Sequence, residues 1–168
     1  MDSVSFWLAL VGFLLMFGIH EFEEATRVLP WLDRNRDRLP APFRHLRLSR
    51  RQFWFIAAEE ALLIILVALL LPSVWLAGAV IAYAVHLLVH VVQILVTARW
   101  GFTIPVWTAV IELPVMLNLL FLLPTRQGDT TLLFTSLVMS VVMVVNLVLM
   151  HLLVKVVPAR KGPSGRVV

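Results

Sequence analysis

The sequence predicts an all-α integral membrane protein: one helical bundle of five transmembrane helices, with the N-terminus outside and the C-terminus in the cytoplasm. Three observations carry this. First, of 168 residues 61% are hydrophobic and only 14% charged, with a mean hydropathy of +0.94. Soluble domains are about 45–50% apolar and about 25% charged. Second, five apolar runs, at about 4–24, 53–71, 74–98, 104–123 and 130–157, approach or exceed the roughly 20 residues that a spanning helix needs. Third, five crossings sort the basic residues. Eight lie in the first loop with its flank Arg27, one is Arg99, and four lie in the tail from Lys155. That puts 13 of 14 on one side, with only Arg126 opposite. The positive-inside rule makes that side cytoplasmic.

The first run begins at Val4 and carries on into His20-Glu21-Phe22-Glu23-Glu24, and Pro30 is expected to end the helix. No basic residue precedes it and no small-x-small site follows, which argues against a cleaved signal. The stretch from Trp31 to Gln52, rich in arginine and interrupted by Pro40 and Pro42, reads as a loop with a short interfacial helix over Phe43–Leu48. The second run carries Glu59 and Glu60, and Pro72-Ser73 turns it into the third, which carries Tyr83, His86, His90 and Gln93. Arg99-Trp100-Gly101 is a turn. The fourth run holds Glu112 and then Pro114, which should loosen or kink the helix beside that carboxylate. After a polar turn over Pro124–Asp129, the fifth run holds Asn146 and His151 before a basic tail at 158–168. Length permits one domain, 1–168. There is no cysteine, hence no disulfide and no thiolate ligand or nucleophile. The high sequence pI, about 10.7, is accounted for by topology, so no nucleic-acid partner is expected.

The ionisable residues within the runs share a depth. At about 1.5 Å of rise per residue, Glu59, Glu60, Glu112, His90, His86, His151 and His20 fall about 9–18 Å from the cytoplasmic ends of their spans. A charged side chain at such depth costs roughly 2.5 kcal/mol or more, so each is a functional hypothesis by default. A single histidine in that layer could be structural. Four histidines with several carboxylates exceed what helix association uses, since interhelical hydrogen bonds contribute about 0.6–2 kcal/mol and are supplied by neutral groups.

Spacing sharpens the pattern. His20 lies three residues from Glu23 and four from Glu24, on one helical side. His86 and His90 are one turn apart, a frequent chelating pair, with Tyr83, Gln93 and Thr97 on the same stripe. Glu59 and Glu60 are about 100° apart, so one of them faces the layer and the other serves a neighbour such as Arg27 or an outer imidazole. Asn146 is off the face of His151 and reads equally as an interhelical hydrogen bond. The loop residue His45, among arginines, reads as solvated.

The spelling His-x-x-Glu-Glu at His20, Glu23 and Glu24, followed by Ala25-Thr26-Arg27 and later by His86-x-x-x-His90, resembles the HXXEE-domain family of small prokaryotic integral membrane proteins. That family is functionally uncharacterised. The resemblance implies a metal site and a metal-dependent enzyme, and it supplies no substrate.

Three kinds of site compete. A catalytic zinc needs three protein ligands and an open position, fewer than this layer offers. Paired histidines could hold haem, but a glutamate-rich layer suits a porphyrin poorly. A dinuclear site in a helical bundle uses carboxylates and histidines from facing helices, and the count fits it best. The expected metal ligands are His20, Glu24, Glu59, His86, His90, Glu112 and His151, with Glu23 and Glu60 as the proton-moving catalytic carboxylates. Imidazole and oxygen donors suit iron, manganese or zinc, with two divalent ions expected and iron preferred. The expected function is a metal-dependent enzyme of the cell membrane, oxidising a lipophilic small molecule that enters from the inner leaflet, among membrane lipids. A zinc hydrolase and a metal or proton transport path are the alternatives. Against transport, the polar residues stop at mid-membrane and no inverted repeat is visible.

Overall fold

A computed structural model describes residues 3–39, 48–123 and 129–156, with side chains described up to Leu153. The chain is all-α. Helix α1 covers Ser3–Glu23 and passes through a π-helical turn at Glu24–Val28 into α2, Leu29–Arg34, and a 3-10 turn, Arg36–Arg38. Next come α3 (Arg50–Leu70), α4 (Ser73–Arg99), α5 (Thr108–Leu119, extended by a 3-10 turn at Leu120–Leu122) and α6 (Asp129–Val156). The residues at 40–47, which include His45 and most of the expected interfacial helix, lie outside the described residues. So do the turn at 124–128 and the tail at 158–168.

Four helical stretches are long and apolar enough to cross a membrane: Ser3–Arg34, Arg50–Leu70, Ser73–Arg99 and Asp129–Leu153. Their outward surfaces are aliphatic and aromatic, as at Leu70, Phe121 and Leu133. An apolar exterior of this extent is consistent with a membrane protein and would aggregate in water. The fourth expected span is shorter than read from sequence, because helix runs only over Thr108–Leu122. The cause is Pro105. It biases Ile104 toward extended backbone and has no N–H of its own to donate, so Phe102–Val106 stays non-helical. Pro114, by contrast, lies within α5 and the helix runs through it.

Pro30 likewise does not end the first helix. It stands in the first turn of α2, where a missing N–H is least harmful. The π turn just before it widens the helix, with the Leu29 N–H reaching back to the Glu24 carbonyl. The Thr26 hydroxyl caps the Phe22 carbonyl at 2.7 Å.

The other ends follow from local sequence. Ser49 and Gln52 form a reciprocal capping box at the start of α3: Ser49 Oγ accepts the Gln52 N–H at 3.3 Å, and Gln52 Oε1 accepts the Ser49 N–H at 3.0 Å. Helix α4 stops in a Schellman motif, with the Phe102 N–H on the Thr97 carbonyl, the Gly101 N–H on Ala98 and Gly101 at φ +79°.

Helix α4 is the centre of the bundle. It packs most extensively on α6 and next on α5, and it also meets α3 and α1, while α1 packs chiefly on α5 and α3. Its N-terminal half is a row of small buried residues, Ala77, Gly78, Ala79, Ala82 and Ala84. They let α6 come so close that a Cβ on Gly78 would sit 2.8 Å from the Thr135 backbone. The Thr135 hydroxyl is shared between its own Leu132 carbonyl and the Val74 carbonyl of α4. Such close approach of small residues is how helices associate where no hydrophobic drive exists between them.

Candidate metal centre

One turn of α1, its π-helical continuation and the second half of α4 meet at a group of four side chains, of which His20 is buried and the others are partly so. His20, Glu24, His86 and His90 each offer one donor atom, and all four atoms lie within 4.8 Å of one another. His90 Nε2 is 3.0 Å from His86 Nε2 and 3.2 Å from Glu24 Oε1. His20 Nε2 is 3.7 Å from the same Glu24 oxygen. Donors at about 2.0–2.2 Å from a single tetrahedral ion would lie about 3.3–3.6 Å apart, and the spacings here fall on either side of that range, so small side-chain shifts would bring the four atoms to one ion.

The outer partners set which nitrogen faces inward. His90 Nδ1 meets Gln93 Oε1, one turn along α4, at 3.0 Å. That contact leaves Nε2 facing Glu24 and His86, with a lone pair to offer when Nδ1 carries the proton. His20 Nδ1 meets Thr108 Oγ1 at 3.0 Å, with Glu112 Oε2 at 3.5 Å on the same side. Its Nε2, turned to the group, is buried without a hydrogen-bond partner. Outer hydrogen bonds of this kind hold the ring orientation of metal-binding imidazoles. Tyr83 completes the wall. Its ring stacks on His86 at 5.8 Å and meets His20 edge-on at 6.0 Å, and its hydroxyl is buried without a partner.

The adjacent carboxylates Glu23 and Glu24 go separate ways. Glu24 starts the π turn and reaches His90. Glu23, the last residue of α1, turns to the other side and has both oxygens engaged. Oε1 takes the Arg27 Nη1 hydrogen at 3.1 Å and Oε2 takes the Thr108 backbone N–H at 2.7 Å. The proton-moving role expected of Glu23 therefore gives way to a clamp. It fixes the start of α5, where a helix N-terminus favours negative charge, and so holds Thr108 against His20.

Three residues expected among the ligands stand outside the group of four. Glu112 is buried on the Nδ1 side of His20, opposite the convergent face, with neither oxygen hydrogen-bonded among the described residues. Glu59 accepts a 2.6 Å hydrogen bond from Asn146, which joins α3 to α6. His151 Nδ1 meets its own Leu147 carbonyl at 2.8 Å. Glu60 lies within electrostatic reach of Glu24 and Glu21. Sequence reasoning passed over Thr108 and Glu21. Glu21 is buried and within electrostatic reach of Glu24, Glu60 and Glu112. Its position in the opening motif was the only signal available. Thr108 gave none, since its partners are 85 and 88 residues away.

No curated protein and no solved structure matches the chain. A family model does match, over residues 11–119, which takes in His20, Glu23, Glu24, His86, His90, Thr108 and Glu112, and its description reads "Protein of unknown function with HXXEE motif". That span is well over half of the chain and contains every side chain of the convergent group together with the threonine and carboxylates around it. The protein is thus a member of the HXXEE family.

Proposed function

We propose that this chain is a metal-dependent enzyme of the cell membrane, crossing it five times with the N-terminus outside, and oxidising a lipophilic substrate drawn from the inner leaflet. The observation that carries the metal is convergence: His20, Glu24, His86 and His90 each bring one donor atom within 4.8 Å of the others, with His90 Nε2 3.2 Å from the Glu24 carboxylate. The unpartnered His20 Nε2 on the same side favours a metal ion, because it adds a further donor to one point.

The geometry favours one ion over the expected pair, since four donors converge while Glu59 and His151 are engaged elsewhere. Four protein donors fill a tetrahedral zinc and leave it no open position, whereas iron or manganese, at higher coordination, keeps positions free. That supports iron over zinc. The ion would supply oxygen-dependent oxidation, and the protein would do the rest. Thr108 and Gln93 fix the rings of His20 and His90, Tyr83 walls the group, and Glu60 carries protons beside Glu24. A fifth crossing is supported by the non-helical Phe102–Val106 segment ahead of α5. The helix Thr108–Leu122 alone reaches about 22 Å, against a hydrocarbon core of about 30 Å, and that segment lengthens it.

Metal analysis of protein purified in mild detergent tests the reading. About one iron or manganese per chain is expected, retained through dialysis. A single tightly held zinc would turn the reading toward hydrolysis. A chain that neither carries metal nor takes up iron, zinc or manganese would end the enzyme assignment. Reporter fusions test the topology: they should be outside after Ser73 and cytoplasmic after Arg38, and a tail found outside overturns five spans.

A further inference from the structure

Next to the convergent group, on the far side of Thr108, a groove of about 320 Å³ runs between α1 and α5. Ile19, Phe22, Trp107 and Ile111 form its apolar walls, and Arg27, Glu23 and Thr108 stand in it. The walls are open to the surroundings, with Phe22 61% and Ile111 69% exposed. Among the described residues the cation lining it is Arg27, whose side chain is 62% exposed.

We propose that this groove seats a single-chain amphiphile with a carboxylate head, a free fatty acid, whose head pairs with Arg27 and whose chain lies along Ile19, Phe22 and Ile111. Four observations select this occupant. The cation sits among apolar walls, which matches one anion attached to one hydrocarbon chain. Arg27 is ion-paired with Glu23 through Nη1 and keeps further guanidinium donors to offer, while Glu23 is also satisfied by the Thr108 N–H at the start of α5. The guanidinium fork takes a carboxylate in two parallel hydrogen bonds. Finally, the volume lies at the low end of ligand sites, about 300–1,000 Å³, in keeping with a single-chain ligand. The nearby Glu23 carboxylate disfavours a head of higher charge. Thr108 separates this groove from His20, so the bound chain passes one side chain away from the convergent group. That the fatty acid is the substrate rests on the proposed enzyme reading, but its binding does not.

Native mass spectrometry of the full chain in detergent, incubated with palmitate, with a lysophosphatidylglycerol or with a monoacylglycerol, tests the assignment. Palmitate is expected to bind one per chain, about tenfold or more tighter than the other two. Arg27→Gln should remove that preference by a similar factor. Ile111→Trp fills the groove from an exposed position and should weaken palmitate binding while the thermal midpoint is unchanged. Equal binding of palmitate by wild type and both variants overturns the proposal, as does preference for the phosphate head or the neutral lipid. Metal content read on the same samples separates the two claims. Palmitate bound through Arg27 on a metal-free chain upholds the groove and defeats the enzyme reading. A metal-loaded chain that ignores palmitate defeats the groove alone.

Discussion

The two halves of α4 solve different problems with one helix. From Ser73 to Ala84 it buries Ala, Gly and Val against α6, and its specificity is shape: Gly78 admits the Thr135 backbone where no other residue fits. From Val85 to Arg99 much of its surface is exposed at Val85, Leu88, Val89, Val92 and Leu95. Its inward face there carries His86 and His90, which meet His20 of α1 and Glu24 of the π turn, while Gln93 bonds His90 along the same helix. The first half is held by contacts that any closely fitting side chains would make. The second is held by atoms that need a particular partner at a particular nitrogen. A bundle can therefore be fixed at one end by packing and leave the other end free to be arranged for chemistry.

The largest expected effect comes from removing a donor in the polar half. His86→Ala or His90→Ala should bring the metal per chain close to zero, with the helical circular dichroism of the detergent-solubilised protein unchanged. If the helix content collapses instead, the imidazoles hold the fold and the division between the halves is false. Next is the packing half. Gly78→Leu places a branched side chain against the Thr135 backbone, and overpacking of this kind costs about 1–3 kcal/mol. The thermal midpoint should fall while the folded fraction keeps its metal, and loss of metal from that fraction would show the halves to be coupled. Gln93→Leu should leave stability alone and weaken metal affinity about 10–100-fold, the usual effect of losing an outer partner of a ligand. Competition against a chelator reads it. The smallest effect is Asn146→Ala, which breaks the α3–α6 bond to Glu59. A loss of about 0.6–1.7 kcal/mol is expected from denaturant titration, with metal retained.

The long apolar runs made α3, α4 and α6 legible to within a few residues, because hydropathy and the Pro72 and Gly101 breaks act locally. The pairing of His86 with His90, and of His20 with Glu24, was legible for the same reason: both are spacings on one helix. What escaped sequence reasoning depends on other elements. Glu23 and Glu24 look equivalent by spacing from His20, and which of the two, about 100° apart, faces α4 depends on how the helix is rotated. Thr108 meets His20 because Pro105 delays the start of α5, a tertiary consequence of a local rule. Glu59 fell into the expected ligand set by depth alone, while depth cannot tell which way a helix is rotated.

The π turn at Glu24–Val28 also sets the phase of the chain. A π turn amounts to one residue more than α-helix needs, which rotates whatever follows by about 100°. His20, one turn before it, is aligned with the imidazoles of α4, and Arg27, within it, lines the groove beside Trp107. Deleting one residue from the turn would keep length, hydropathy and composition almost unchanged and would turn the downstream segment away from its present neighbours. For this chain, insertions and deletions within Glu24–Val28 should thus be far more damaging than substitutions at the same places, because they alter azimuth and not chemistry.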